Sequence, residues 1–336
     1  MLFLLLALFL SLAGVLLLGP KVIPLLKKLK FGQTIYELGP QTHQKKQGTP
    51  TMGGLMFALT VTVLGILLPL LWNSACALSL GVVGFALLNM LIGFVDDYIK
   101  VVKKRNLGLI WWQKIIGQVL ACAGFSVYCY FCPSIGSSLV VPFANVEWDL
   151  GIFYIPVMTC VLIFVVNSAN LQDGMDGLLS TVTLVNSSAL ALIALLFPAL
   201  CGTLTIASQE AYRNVAVVAL ALTGSMVGFL RFNRYPAKVF MGDTGSMFIG
   251  GAITAMAVVL RLPILIIFLC VTWLASSFSV ILQRFYFKVT HGKRIFKMSP
   301  IHHHFELSGM TEPQVVSMYA AVTLLACLAA VLSLIQ

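Results

Sequence analysis

Long apolar runs divide this chain, and each is about as long as a membrane-spanning helix, which needs roughly 20 residues. Of the 336 residues, 60% are hydrophobic and 10% are charged, whereas soluble proteins carry about 25% charged residues. This composition excludes a soluble enzyme, a disordered chain and a disulfide-rich secreted domain. We place ten predicted spans at residues 2–26, 53–72, 76–95, 114–132, 152–167, 178–199, 212–230, 246–260, 262–287 and 313–335.

The spans are predicted to be helices, because none of them alternates apolar and polar residues as a membrane barrel strand does. The predicted fold is an all-α, polytopic integral membrane protein with about ten transmembrane helices and a single domain over residues 1–336. The segment from Arg261 to Pro263 fits either a boundary between two spans or a break within one helix. The first run also fits a signal peptide, but its lysines follow the apolar stretch instead of preceding it.

Lysine and arginine mark the predicted cytoplasmic side, where they accumulate in membrane proteins. Nineteen of the 21 basic residues fall in or beside alternate loops, and only Arg213 and Arg261 fall in the others. Both termini are therefore predicted on the extracytoplasmic side. Because the charges are split among short loops, we expect anionic membrane lipids as neighbours and no nucleic-acid partner. The cytoplasmic loops predicted to form an active site cover residues 21–52, 96–113, 168–177, 231–245 and 288–312.

Most of the acidic residues lie on the same predicted side as the bases. Asp96 and Asp97 end an apolar run, and Lys100 follows Asp96 by four residues, so these two share a face of a continuing helix. Adjacent carboxylates at such a place raise each other's pKa unless a cation lies between them. The third predicted loop carries Asp173 and Asp176 and has no basic residue, which is unusual on this side.

Three other predicted loops contain residue types that suit phosphate. Asp243 stands just before Gly245 and Ser246 at a span start, which fits either an anion site with Mg²⁺ or a simple N-cap. Lys46 is followed by glycines and threonines. The residues His302–His304 would point about 100° apart on a helix, which favours hydrogen bonds to phosphate or carboxylate over a zinc site. Carboxylates, Mg²⁺ and surrounding cations are typical of phosphoryl transfer.

Five segments resemble, in order, the motifs of the polyprenyl-phosphate N-acetylhexosamine-1-phosphate transferase superfamily. They are Gly48-Thr-Pro-Thr-Met-Gly-Gly54, Asp96-Asp97, Asn170-Leu-Gln-Asp-Gly-Met-Asp-Gly177, Phe240-Met-Gly-Asp-Thr-Gly-Ser246 and Pro300-Ile-His-His-His-Phe-Glu306. The first and last segments are most similar to the members that transfer a phospho-muramoyl-pentapeptide. Gln172 and Met175 stand where Thr and Leu are common in the superfamily.

The resemblance implies a Mg²⁺-dependent transferase. It would move phospho-N-acetylmuramoyl-pentapeptide from UDP-N-acetylmuramoyl-pentapeptide to undecaprenyl phosphate, giving lipid I and UMP in peptidoglycan biosynthesis. The resemblance also implies the bacterial cytoplasmic membrane, an active site facing the cytoplasm, and compatibility with a homodimer. Direct attack by the acceptor phosphate and a covalent aspartyl-phosphate route are both compatible with these motifs.

The resemblance further implies roles for individual residues. Asp243 would bind Mg²⁺, with Asp173 and Asp176 as further candidate ligands. Asp96 and Asp97 would be catalytic carboxylates on the acceptor side. Phe240 would stack on uracil. Four lysines would neutralise phosphates: Lys46, Lys100, Lys104 and Lys114. Asp243 and His303 are also predicted to be catalytic. The predicted substrate-binding residues are Lys46, Thr51, Lys100, Lys104, Lys114, Asn170, Asp173, Gly174, Met175, Asp176, Asn233, Phe240, His302 and His304.

Two alternative functions are compatible with the sequence. A related transferase would use UDP-N-acetylglucosamine or a similar UDP-sugar as donor, which the histidine segment disfavours. A transporter would place polar groups near the middle of the bilayer, whereas here they gather at one predicted face.

Overall fold

The computed structural model describes residues 1–29, 46, 48–72, 75–102, 108–144 and 146–335. Within these residues the protein is mostly helical, as expected for apolar segments that must satisfy their backbone hydrogen bonds internally. The helices are α1 (Leu2–Lys28), α2 (Gly54–Trp72), α3 (Ala77–Val102), α4 (Trp111–Phe131), α5 (Tyr154–Gln172), α6 (Leu178–Leu200), α7 (Gln209–Asn233), α8 (Gly242–Val259), α9 (Ile266–Leu269), α10 (Val271–Val289), α11 (Ile301–Glu306) and α12 (Glu312–Leu332).

Nine helices of the described chain are long and apolar enough to cross a membrane, and a bent pair would make a tenth. The prediction of about ten helical spans is therefore confirmed. The bent pair joins residues Pro263–Leu269 to Val271–Val289 at an angle of 82°. Of the two predicted alternatives around Arg261, the structure has the boundary between two spans, because α8 ends at Val259 and the bent pair follows as a separate candidate span. The bend itself lies at Cys270, inside the predicted span 262–287.

Helix α8 lies at the centre of the bundle and packs most extensively against α3. Its residues are almost all buried, and many are small: glycine, alanine, serine and threonine. Small side chains let helix backbones approach closely in a membrane. Gly93 of α3 is such a contact, since a Cβ there would collide with the main chain of Asp243. This approach brings the end of α3 beside the start of α8.

A two-stranded antiparallel hairpin, absent from the all-helical prediction, lies at the opposite end of α8. It pairs β1 (Ser138–Val141) with β2 (Val146–Asp149). The buried side chain of Arg261, just after α8, holds this end together: it donates to the carbonyl oxygens of Ser138 at 3.1 Å and Leu204 at 2.7 Å. It also pairs with Glu147 at 3.0 Å. The strands are too short to show a periodic signal in the sequence.

We expect Arg261→Met to lower the free energy of unfolding by about 2–3 kcal/mol, because it removes the donor of several buried hydrogen bonds. The loss in unfolding free energy is limited, because Glu147 is 37% exposed and water can solvate its carboxylate once Arg261 is replaced. Denaturant unfolding in detergent measures the change, and Arg213→Met, at an exposed position, is the matched control. Equal stability of the two variants would contradict the bridging role.

Candidate active site

Three carboxylates meet where α3 ends and α8 begins. Asp96 and Asp97 lie near the end of α3, and Asp243 lies in the first turn of α8. Each offers an oxygen within 4.8 Å of the oxygens of the other two. The side chains of Asp96 and Asp97 are buried, and that of Asp243 is partly exposed. Residues 147 positions apart in the chain therefore form one acidic cluster, which we call the aspartate cluster.

Two lysines lie against the aspartate cluster. The Lys100 ammonium is 2.6 Å from Asp96 Oδ2 and 3.1 Å from Asp243 Oδ2. It is 3.9 Å from Asp97 Oδ1, so the cation lies among all three carboxylates. Lys114, in the first turn of α4, places its ammonium 3.0 Å from Asp243 Oδ2. The prediction that Asp96 and Lys100 share a helix face is confirmed.

The start of α8 is capped by a residue of another helix. Asp97 Oδ2 accepts hydrogen bonds from the Thr244 backbone N–H at 2.9 Å and from the Thr244 hydroxyl at 2.7 Å. Asp243 does not act as the simple N-cap that the sequence left open, because its carboxylate faces the lysines and Asn170. Asp97 thus fixes the first turn of α8, and with it the position of Asp243 in the aspartate cluster.

The end of α5 supplies the polar groups on the other side of Asp243. The Asn170 amide donates to Asp243 Oδ1 at 2.8 Å and to Ser246 Oγ at 2.9 Å. Asp173 follows in the turn after α5. Burial raises the pKa of its carboxyl to about 8, and the negative charges of Asp243 and Asp97 add to this increase.

The charges around the aspartate cluster do not balance. In the described part of the chain, the three carboxylates of the aspartate cluster face the ammonium groups of Lys100 and Lys114. With all three ionised the formal excess is one negative charge, while the raised pKa of Asp173 keeps that carboxyl mostly protonated near pH 7. A bound cation would offset this excess. Carboxylate oxygens are the ligands that Mg²⁺ prefers. The donor set therefore fits such an ion, and the aspartate cluster could hold it.

The first and fourth predicted loops pair through their main chains. Phe240 N donates to Pro50 O at 2.8 Å, and Gly53 N donates to Phe240 O at 2.8 Å. This pairing places Thr51 beside Gly242, which adopts a φ of 72°. A Cβ on Gly242 would collide with the Asp97 carboxylate and the Thr51 hydroxyl, so glycine is required here for two reasons.

Two other predicted site residues have their polar atoms engaged by the protein. The Lys46 ammonium lies 2.7 Å from Asp176 Oδ1 and 2.7 Å from Glu312 Oε2. Asn233 Oδ1 accepts from the Ser180 hydroxyl at 2.7 Å, and its amide donates to Val239 O at 3.0 Å. Both residues therefore connect separate segments of the chain beside the aspartate cluster.

The three histidines form the short helix α11 and face different surroundings. His302 and His303 are buried, and a Cβ on Gly174 would collide with the His302 ring. His303 Nδ1 lies 3.4 Å from Glu306 Oε2. His304 faces the segment before α11, where its Nδ1 accepts from the Lys297 backbone N–H at 3.1 Å. The turn that follows α5, with Met175 buried in it, thus packs on the first two histidines.

Polar residues of α10 hold the histidine segment in place. Gln283 Oε1 accepts from the backbone N–H groups of Ile295 and Phe296, each at 3.0 Å, and its amide donates to Phe296 O at 2.9 Å. Ser279 Oγ accepts from Ile301 N at 2.9 Å. Closer to the break, Ser276 donates to Gln172 Oε1 at 3.1 Å. These bonds connect α10 to both α5 and α11.

Sequence reasoning assigned no role to Gln172, Gln283 or Glu312. The first two are amides on otherwise apolar helices, a pattern that signals a buried polar contact without naming its partner. Glu312 ends the predicted cytoplasmic loop 288–312, and its partners are visible only in the structure. The predicted phosphate-binding residue Lys104 lies outside the described residues.

Comparison with known proteins identifies the family. The model for glycosyl transferase family 4 matches residues 79–261. Signature 1 of phospho-N-acetylmuramoyl-pentapeptide-transferase matches residues 46–57, which include Lys46 and Thr51. A phospho-N-acetylmuramoyl-pentapeptide-transferase of Clostridium kluyveri is 45% identical over 318 residues, covering 94% of each chain. The chain belongs to the phospho-N-acetylmuramoyl-pentapeptide-transferase family.

Other members of this transferase family are similarly close. One from Thermoanaerobacter sp. is 46% identical over 310 residues, covering 92% of this chain and 91% of its own. One from Acetivibrio thermocellus is 40% identical over 329 residues, covering 95% and 92%. The resemblance stated from the motifs is therefore confirmed, and the chain is a transferase of the phospho-N-acetylmuramoyl-pentapeptide-transferase type.

Proposed function

We propose that this transferase moves phospho-N-acetylmuramoyl-pentapeptide from UDP-N-acetylmuramoyl-pentapeptide to undecaprenyl phosphate, forming lipid I and UMP for peptidoglycan synthesis. The observation that carries this proposal is the aspartate cluster with Lys100 and Lys114 at one end of an apolar helical bundle. The end of such a bundle lies at the level of lipid headgroups, so a lipid-linked phosphate and a soluble nucleotide can meet there. The names of the relatives support the choice of substrates.

The reaction joins two phosphates that repel each other. An oxygen of the acceptor phosphate attacks the β-phosphorus of the donor, and a new P–O bond forms. The bond from that phosphorus to the bridging oxygen breaks, and this oxygen leaves on UMP. The acceptor phosphate is anionic at neutral pH and needs no strong base. Lys100 and Lys114 reduce the repulsion, and the site holds the reacting groups in line.

We propose that Mg²⁺ binds at the aspartate cluster and offsets its excess of negative charge. Asp243 would bind it with Asp96 and Asp97, and Asp173 is a further candidate ligand. When bound, the ion would neutralise negative charge on the phosphates. Asp176 is less suited, because it lies outside the group of three converging carboxylates and is paired with Lys46.

The donor is proposed to bind beside the turn at 173–177 and α11, which pack on each other. Asn170, Gly174 and His303 would contact it, and the buried Met175 and His302 would support that surface. His304 would contact it only at the far edge, where it accepts from Lys297 N. Phe240 would stack on the uracil. Thr51 would contact a phosphate from the first loop, whereas Asn233 would hold the segment leading to Phe240.

We further propose that the protein lies in the bacterial cytoplasmic membrane with the aspartate cluster facing the cytoplasm and both termini outside. The distribution of basic residues supports this orientation, since 19 of 21 fall in or beside the loops at this end. The soluble nucleotide donor would then be drawn from the cytoplasm.

A donor assay tests the proposed function. Purified protein in detergent, given undecaprenyl phosphate, UDP-N-acetylmuramoyl-pentapeptide and Mg²⁺, is expected to release UMP and form the lipid product. Removal of divalent ions with EDTA should abolish turnover, because the negative excess at the site is then uncompensated, and added Mg²⁺ should restore it.

The same assay separates the alternatives. Turnover of UDP-N-acetylglucosamine without turnover of the muramoyl-pentapeptide nucleotide would show that the protein is a different member of the superfamily. Absence of UMP release with both substrates and Mg²⁺ present would contradict a transferase.

A further inference from the structure

One ammonium group joins three separate parts of the chain beside the aspartate cluster. Lys46 Nζ lies 2.7 Å from Asp176 Oδ1, in the turn before α6, and 2.7 Å from Glu312 Oε2, at the start of α12. The same Glu312 oxygen accepts from Asp176 N at 3.2 Å. The second Asp176 oxygen accepts from Ala237 N at 2.8 Å. We call Lys46, Asp176 and Glu312 the lysine bridge.

The lysine bridge is largely removed from water. The side chains of Lys46, Asp176 and Glu312 are 14%, 2% and 5% exposed. Two buried carboxylates share a single ammonium, so loss of the cation leaves both uncompensated, whereas loss of one carboxylate leaves the other paired with Lys46 but removes one of the contacts that join the segments. Two short ion pairs hold the ammonium within the protein, and the phosphate-neutralising role implied for Lys46 by resemblance stays a prediction.

The lysine bridge continues into the segments that we propose as the donor site. Asp176 lies in the same turn as Gly174, which packs against the His302 ring. Through Ala237 N, Asp176 also holds the segment that leads to Phe240, which pairs with the first loop at Pro50. The acceptor-side carboxylates Asp96 and Asp97 belong instead to α3.

We propose that Glu312 is a positioning residue for the donor nucleotide, acting by holding Lys46 and the turn at Asp176 in place. The inference rests on the proposed function for the identity of the donor. Glu312 lies in the first turn of α12, where the helix dipole favours a carboxylate. Its oxygen is aimed across the chain at Lys46 and Asp176.

A double-mutant cycle tests this role. Glu312→Gln and Lys46→Met are each expected to raise the KM for the donor about tenfold, because each removes a charged hydrogen bond within the lysine bridge. The value of kcat should change less than about twofold, since binding rather than the transition state is affected. The KM for the acceptor should not change. The double variant should be no worse than Lys46→Met alone, because both residues act through one contact.

Two further variants control for unfolding. Glu312→Asp keeps the charge on a shorter side chain and should recover part of the donor affinity. Glu210→Gln is the same chemical change at an exposed helix start, and it should match the unmodified protein. If Glu312→Gln lowers the melting temperature in detergent markedly, Glu312→Asp and Lys46→Met supply the same comparison.

The cycle is also measured as UMP binding by calorimetry, which requires no turnover and so separates this inference from the donor assignment. Weaker UMP binding in both single variants, with no further loss in the double variant, supports the lysine bridge. Additive losses, an unchanged donor KM in Glu312→Gln, or equal increases in donor and acceptor KM would overturn it.

Discussion

Asp243→Asn is expected to lower kcat by at least about 10³-fold while the protein remains folded. The Asp243 carboxylate is the one group of the aspartate cluster that contacts Lys100, Lys114 and Asn170 together. The amide has the same shape but no charge, so it can neither bind a divalent cation strongly nor hold the two ammonium groups. Single-turnover and steady-state UMP release measure the loss.

The fold should survive this change for a structural reason. The first turn of α8 is capped by Asp97 through Thr244, and this contact does not involve the Asp243 side chain. Lys100 also keeps its 2.6 Å ion pair with Asp96. Asp149→Asn, the same change on the exposed hairpin at the opposite end, is the control and should retain full turnover. A kcat for Asp243→Asn within tenfold of the unmodified protein at saturating Mg²⁺ would exclude the metal-binding role.

Asp97→Asn should lower kcat by about 10²-fold. Its carboxylate has two functions in the structure: it adds negative charge to the aspartate cluster, and it accepts both hydrogen bonds from Thr244. The asparagine oxygen can still accept these bonds, so the expected loss arises mainly from the missing charge. Steady-state kinetics over a range of Mg²⁺ concentrations should therefore show weaker activation by Mg²⁺.

Thr244→Val separates the two functions of Asp97. Valine has nearly the shape of threonine but lacks the hydroxyl, so one of the two hydrogen bonds to Asp97 Oδ2 is lost while the charge remains. We expect a loss of no more than about tenfold. If Thr244→Val were as slow as Asp97→Asn, Asp97 would act only by holding α8. An unchanged rate in Asp97→Asn would remove it from the site.

Local and compositional features of this protein were predictable from sequence. Span positions follow from the length of apolar runs, because a bilayer imposes that length. The Asp96–Lys100 ion pair follows from helix geometry alone, since residues four apart share a face. The gathering of acidic residues on one side was also predictable, because the placement of the spans assigns each loop to one end of the bundle.

Contacts between distant segments were not predictable in this way. The capping of α8 by Asp97, the lysine bridge and the Gln172–Ser276 bond join residues more than 100 positions apart. No periodicity encodes such pairs, because they depend on which helices are neighbours and how far each is shifted along its axis. The hairpin was missed for a related reason, because it is held by the long-range polar contacts of Arg261. The position of the 82° bend was not predicted either.

Helix α8 is shielded from lipid, since 89% of its most apolar stretch is buried, against 22% for α1. A membrane helix adapts to a thicker or thinner bilayer by tilting, and the force that tilts it acts on the surface that touches lipid. The outer helices therefore absorb a change in bilayer thickness, while α8, with Asp243 at one end and Arg261 at the other, keeps its place. The protein can thus adapt to lipids of different chain length without moving the carboxylate at its centre.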